Sequence, residues 1–304
     1  MKKTDVLIIG AGPCGIGAAL KLKEANVDFL IMNYGAPGGK INIAPRVDNY
    51  PRQTKIPGPD LAFIFYQRLI DNNIDLISDR ALDLTKKDNL FYLKGENDEY
   101  IAKAVLLASG TKERKLGLPK EEEFLGHGIS YCSVCDGHFF KNKDVVVVGG
   151  GNSALKESIH LADICSQVYL VHRRNQFRGL GKTLDELKSH ENIKIFTPYV
   201  PVEIMGEEKV EGLKIRNVET EEIITLKVDG FFPLVGQLPN TEFIHIDGVK
   251  NEYNNVIVEK NMATSCPGLF AGGDILPREL KQIYLSEHDG MVAAESIKEY
   301  LSQW

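Results

Sequence analysis

Cysteine and tryptophan are scarce in this chain, five and one among 304 residues. Five cysteines at irregular spacing do not make the paired framework of a small secreted domain, so a reducing cytoplasm is the default compartment. Long apolar runs are missing as well: none approaches the roughly 20 residues that a membrane-spanning helix needs. The opening "MKKTDVLIIGAG" puts lysines ahead of an apolar run, as a secretory signal would. That run is short and breaks into glycines that make a turn, which excludes a signal. Nor is there an excess of positive charge. Lys and Arg number 36 against 42 Asp and Glu, a net charge of −6, which argues against nucleic acid as the main partner. What is present is a chain 43% hydrophobic and long enough for one large domain or two ordinary ones. The expectation is a cytoplasmic globular enzyme.

One pattern occurs twice. "DVLIIGAGPCGIGAAL" begins at Asp5 and "DVVVVGGGNSALKESI" at Asp144. Each is a β-branched run, then glycines at one-apart spacing, then a helix-forming segment. Each is followed by a second strand at βαβ distance, "VDFLIMN" and "QVYLVHRR". The pattern predicts two doubly wound α/β units with parallel strands. Residues 82–105 alternate as an antiparallel hairpin with a polar turn near Gly95, and a similar hairpin is expected from about Val210 to Leu234. The candidate linkers are "TKERKLGLP" (111–119) and "VGQLPNTEF" (235–243). A helix is expected from about Leu280 to Leu301. The simplest arrangement is one domain made of both chain ends with a second inserted between the linkers.

Gly10, Gly12 and Gly15 follow a strand and precede a helix, the context in which G-x-G-x-x-G holds a dinucleotide. The glycines admit backbone amides to a pyrophosphate, and the helix start adds partial positive charge. The usual acid at the end of the second strand is replaced by Asn33, which can still hydrogen-bond a ribose hydroxyl. The second unit, Gly149 to Ala154 with Gly151, Asn152 and Ser153, ends its second strand differently. There "HRRNQFR" supplies Arg173, Arg174 and Arg178 in place of an acid. Guanidinium groups there bind a 2′-phosphate that a carboxylate repels, so the ligand is NADPH rather than NADH. A hydride donor needs an acceptor, which assigns FAD to the first site.

"YCSVCDGHFF" places Cys132 and Cys135 just ahead of the second unit. As a metal half-site the pair needs further ligands, but Cys14, Cys165 and Cys266 are isolated and read as small core or turn residues. No metal is expected; His127, His138 and His288 carry no ligand grouping. As a staple, so short a loop restrains little chain entropy. Redox chemistry fits better, because a small disulfide ring opens readily. Asp136, next in the chain, can move a proton where thiolates must be protonated. "SEHDG" (286–290) reads as a polar helix face.

The motifs "GAGPCGIGAA", "GAPGGK", "VDNYP", "YCSVCDGHFF", "VVVVGGGNSA", "VHRRNQFR", "GQLPNT" and "TSCPGLFAGGD" occur in this order. Over nearly the whole chain they resemble the low-molecular-weight (bacterial-type) thioredoxin reductases, class II of the pyridine nucleotide-disulfide oxidoreductases. The resemblance implies an α/β fold of two Rossmann-like, three-layer ββα domains. Residues 1–113 and 238–304 would form a discontinuous FAD domain, and 114–237 the inserted NADPH domain with the cysteine pair. It implies FAD at Gly10, Gly12, Pro13, Gly15, Asn33, Tyr34, Gly38, Gly39, Lys40, Asn49 and Gly110, and at Gly273, Asp274, Lys281, Gln282 and Ile283. It implies NADPH at the second glycine turn and the three arginines, and a homodimer. By the same resemblance, electrons pass from NADPH through FAD to a Cys132–Cys135 disulfide. Cys135 would lie nearest the flavin, Cys132 would attack thioredoxin or a thioredoxin-like dithiol protein, and Asp136 would assist proton transfer. Because the pair shares a domain with the nicotinamide site, the domains would rotate between half-reactions.

The chain departs from the family at Lys40 (usually Gln), Lys281 (Arg), Ile283 (Ala), the bulkier "LSEHD", and Lys156 where an acid is common. The alternatives are an NADPH:ferredoxin or flavodoxin reductase on this scaffold, whose relatives lack the cysteine pair, and a reductase of another thioredoxin-like protein.

Overall fold

The computed structural model describes the chain apart from Pro45, Arg46, Asp48, Arg52, Thr54, Arg178, Gly179, Leu180 and Glu279, and apart from the side chains of Val134, Cys135 and Lys182. The chain divides into two compact units, Met1–Lys112 with Leu238–Trp304, and Glu113–Gln237.

The first unit is organised by β1 (Lys2–Ile9). Val6 and Ile8 enter one core while Leu7 and Ile9 enter another, as the period of two requires. Burial on both faces demands cover on both sides, which is why the strand reads as a continuous apolar run. β1 pairs in parallel with β2 (Phe29–Asn33) and with β6 (Glu99–Leu107), and β3 (Leu76–Ser78) extends the sheet beyond β2. On the other flank β4 (Ala81–Lys87) and β5 (Leu90–Gly95) form an antiparallel meander with the first half of β6. The expected hairpin is thus two of three strands. α1 (Pro13–Glu24) and α2 (Gly58–Asp71) cover the Val6–Ile8 face. Proline at the first position of α1 costs no hydrogen bond, since that N–H has no partner within the helix.

β7 (Thr111–Glu113) leads out of this unit. In the second unit, the one-turn α3 (Ser133–Asp136) carries the cysteine pair ahead of β8 (Asp144–Val148). Next come α4 (Asn152–Ala162), β9 (Gln167–Val171), α5 (Gly181–Ser189) and β10 (Ile193–Phe196). An antiparallel sheet of β11 (Tyr199–Met205), β12 (Gly212–Asn217) and β13 (Ile223–Lys227) follows. β14 (Gly230–Pro233) returns to pair in parallel with β8, giving the order β10-β9-β8-β14. The second expected hairpin is therefore corrected. It stops at β13, because β14 is buried on both faces and pairs in parallel with β8 at the end of the other sheet. One core joins α4 to the parallel sheet and another joins that sheet to β11–β13, a sheet-sheet-helix sandwich.

The chain returns through β15 (Gln237–Pro239), which pairs with β7. β16 (Leu269–Ala271) then lies against the second half of β6, in parallel. α6 (Ile283–Leu301) closes the first core against α1. It starts three residues later than expected: Gln282 is extended (φ −138°, ψ 146°), and Lys281 and Gln282 instead line a cavity. No helix among the described residues is long and apolar enough to cross a membrane.

Candidate active site

The first glycine turn is set by close approach. A Cβ on Gly15 would lie 1.8 Å from the Gly10 carbonyl oxygen, and one on Gly10 would lie 2.3 Å from that of Ala108. Gly12, by contrast, faces open space. As the residue preceding α1 it offers no side-chain cap, and no acid occupies the first turn. The uncapped N–H groups and the positive end of the helix dipole are therefore available to a pyrophosphate.

The turn opens onto a cavity of about 370 Å³ lined by Gly10, Gly12, Pro13, Asn33, Tyr34, Gly39, Lys40, Gly110, Gly273, Asp274, Lys281, Gln282 and Ile283. A second cavity of about 450 Å³ adjoins it, sharing Gly10, Asn33, Tyr34, Ser109 and Asn240. Together these form a long, partly apolar slot of the size an extended dinucleotide fills. Gly38 lies beside it with its N–H bonded to the Ala11 carbonyl at 2.7 Å. The side chain of Asn49 donates to that of Gln282. Asn33 holds the turn itself: its Oδ1 accepts the Ala11 N–H at 2.9 Å, and its Nδ2 donates to the Gly35 carbonyl at 3.0 Å.

Three features of this slot were not legible in the sequence. Asn240 donates from Nδ2 to the Ser109 carbonyl at 2.9 Å, and its own carbonyl accepts the Ser109 hydroxyl at 2.6 Å. Asp289 is 3% exposed and accepts the Gly273 N–H at 2.8 Å while pairing with Arg278 at 2.8 Å. The reading of "SEHDG" as a polar helix face is thereby corrected: Ser286 and Asp289 are buried, and Asp289 fixes the turn that closes the slot. A buried carboxylate is tolerable only when paired and hydrogen-bonded in this way. The third feature explains part of the bulky "LSEHD". Glu287 accepts the Tyr50 hydroxyl at 2.7 Å and pairs with Arg68 at 2.6 Å. Lys281 donates to the Asp274 carbonyl at 2.9 Å.

The second unit carries the other glycine turn. α4 likewise starts behind a glycine, Gly151, with no side-chain cap and no acid in its first turn. Gly149 packs against the Leu234 carbonyl, which a Cβ would approach to 2.4 Å. Asn152 and Ser153 are exposed at the helix start, and Arg173 and Arg174 are exposed just past β9. Arg178, the third guanidinium expected there, lies outside the described residues.

Residues 130–133 in the same unit are held at successive positions. The Ser130 hydroxyl accepts the Cys132 N–H at 3.0 Å and donates to the Cys132 carbonyl at 3.1 Å. The Tyr131 hydroxyl donates to Glu121 at 2.8 Å. Glu121, only 2% exposed, also accepts the N–H groups of Leu116, Gly117 and Leu118 at 2.7–3.3 Å. Burial and the neighbouring Glu121 push the Tyr131 phenol up, so it stays a donor. The Ser133 N–H donates to Glu157 on α4 at 3.1 Å. Asp136, half-buried, closes the turn of α3 through its N–H to the Cys132 carbonyl at 3.1 Å. Cys132 is disulfide-bonded. The side chain of Cys135 is outside the described residues.

The remaining cysteines are free thiols. Burial, then the charge of Asp289, drives the Cys14 thiol far above its usual range; burial, then Asp144, raises Cys165 to about 11; burial raises Cys266. Such thiols stay protonated and are poor nucleophiles. Among the described residues no cluster of His, Cys, Asp and Glu could hold a metal.

The family model of the pyridine nucleotide-disulphide oxidoreductases matches residues 4–290. The chain is 38% identical over 300 residues to a thioredoxin reductase of Ureaplasma parvum, covering 98% of this chain and 97% of that protein. The structure superimposes on the thioredoxin reductase of Lactococcus lactis in its FR conformation with a TM-score of 0.88 at 32% identity, covering 99% and 100% of the two chains. It is also similar, at a TM-score of 0.56 and 28% identity with both chains fully covered, to a ferredoxin-flavin thioredoxin reductase of Clostridium acetobutylicum. Two uncapped glycine turns, one opening on a dinucleotide-sized slot and the other beside exposed arginines, agree with these likenesses. The chain belongs to the low-molecular-weight thioredoxin reductases of the pyridine nucleotide-disulphide oxidoreductase family, flavoenzymes that use FAD and NADPH.

Proposed function

We propose that this enzyme reduces the disulfide of thioredoxin, or of a thioredoxin-like dithiol protein, with NADPH. The observation that carries the reading is the placement of the Cys132 segment beside α4, the helix that opens at the nucleotide turn. The partner of Cys132 is assigned to Cys135, the pair being used and regenerated in each turnover. FAD, when bound in the first slot, supplies the two-electron relay between a hydride donor and a disulfide.

The residues divide the work. The uncapped starts of α1 and α4 hold pyrophosphates. Arg173 and Arg174 select the 2′-phosphate, since guanidinium bonds to phosphate are charge-assisted and often bidentate. Lys40 and Lys281 place ammonium groups along the flavin slot, and Asn33 supports its glycine turn. Cys132 attacks the disulfide of the partner protein, Cys135 resolves the mixed disulfide, and Asp136 exchanges the proton that a departing thiolate needs. The exposed arginines favour NADPH over reduced ferredoxin as the electron source. Function as a cytoplasmic homodimer follows from the same reading.

Anaerobic titration with NADPH tests it. The expected course is bleaching of the flavin, appearance of two thiols per chain, and return of the yellow colour on adding oxidised thioredoxin; a flavin bleached by NADPH but not reoxidised by thioredoxin would sink the reading.

The flavin slot belongs to one unit, whereas the dithiol and the nucleotide turn both belong to the other. Each must reach the flavin in its turn, so we assign a rotation of the units about β7 and β15. A crosslink engineered between the units should preserve one half-reaction in single-turnover absorbance and abolish steady turnover. Undiminished turnover in the crosslinked protein excludes the rotation.

A further inference from the structure

A side chain of α4 holds the segment between the two cysteines. Glu157 lies between the nucleotide turn at the start of α4 and that helix's C-terminus, and its Oε2 accepts the Ser133 N–H at 3.1 Å. Ser133 is fully buried. Its hydroxyl makes no well-formed hydrogen bond among the described residues, although it lies close enough to the Glu157 carboxyl to lower its pKa. Burial outweighs both serine contacts and leaves Glu157 a carboxyl raised above its ordinary range, with Glu113 adding to the rise. Such a group is expensive to keep next to a redox pair unless its position serves that pair.

We propose that Glu157 is a positioning residue of the dithiol. By accepting the Ser133 N–H it holds the stretch between the cysteines on the helix of the nucleotide turn, and it keeps that N–H away from the sulfurs. This rests on the dithiol reading above. Opening the disulfide takes two electrons, supplied by NADPH through FAD, and two protons, and leaves two thiols; withholding one proton leaves a thiol and a thiolate. A backbone N–H at the start of the helical turn stabilises a thiolate when nothing else accepts from it. Glu157 denies the sulfurs that donor, which keeps the pair more reducing and readier to pass its electrons to a partner disulfide.

The test is the equilibrium of the dithiol in the holoenzyme with glutathione buffers, read by alkylation and mass. The wild type is measured first. If NADPH produces no new thiols there, the dithiol reading itself fails, whatever Glu157 does. Given thiols, E157A is expected to shift the equilibrium at least tenfold toward the reduced pair, about 30 mV for a two-electron couple. E157Q, which keeps an acceptor oxygen, should stay within about threefold of wild type. A smaller shift in E157A overturns the proposal, and so does a shift in E157Q as large as in E157A. Should E157A not accumulate as holoenzyme, E157D, one methylene too short to reach Ser133, is judged by the same tenfold criterion.

Discussion

Replacement of Cys135 by serine is expected to leave NADPH-dependent bleaching of the flavin intact while lowering thioredoxin-dependent turnover at least about a thousandfold. Loss of a covalent group that no neighbour can replace has effects of this order. The remaining cysteines offer no substitute. Cys14 and Cys165 are buried, free and held protonated. Cys266 is raised as well and belongs to the other unit. Stopped-flow absorbance of the flavin separates the two halves. Turnover within tenfold of wild type would remove the pair from the mechanism.

Gly15→Ala is expected to have the largest effect on stability and cofactor retention. The added methyl would stand 1.8 Å from the Gly10 oxygen, and backbone rather than a yielding side chain would have to move. Overpacking of this kind costs about 3 kcal/mol or more, which in a protein of this size lowers Tm by roughly 6 °C or more. The displaced turn is also the one we assign to the pyrophosphate, so the protein should purify with little FAD. Gly12→Ala supplies the contrast, because a Cβ there meets nothing within 4 Å. That variant should melt close to wild type yet bind FAD more weakly, its methyl occupying ligand space. Melting curves and the absorbance ratio of flavin to protein report both. Equal Tm values for the two variants would show that the close approach at Gly15 does not constrain the turn.

The bulky, charged "LSEHD" shows where reading the chain alone misleads. A polar stretch on a helix ordinarily faces water, yet Asp289 is buried because Arg278 and the Gly273 N–H both lie in its reach. Glu287 is likewise engaged by Tyr50 and Arg68. The alternation from about Val210 to Leu234 predicts that "GFFPL" ends a hairpin, but the parallel sheet takes it, since burial on both faces outweighs proximity to β13.

By itself the sequence determined the two strand-glycine-helix units, the arginines beyond the second of them, and the cysteine pair. Each of these is a pattern completed within a few dozen residues, where glycine spacing, β-branched runs and charge act through local backbone geometry. Only the tertiary structure decided which distant polar groups meet. Asn240 and Ser109 stand 131 positions apart and meet because the returning chain passes the end of β6. Glu157 meets Ser133 across 24 positions. Glu121 gathers three amides and a phenol into a buried carboxylate site. No local rule marks such residues, because a carboxylate's partner is chosen by which elements the topology packs beside it and by the cost of burying it alone.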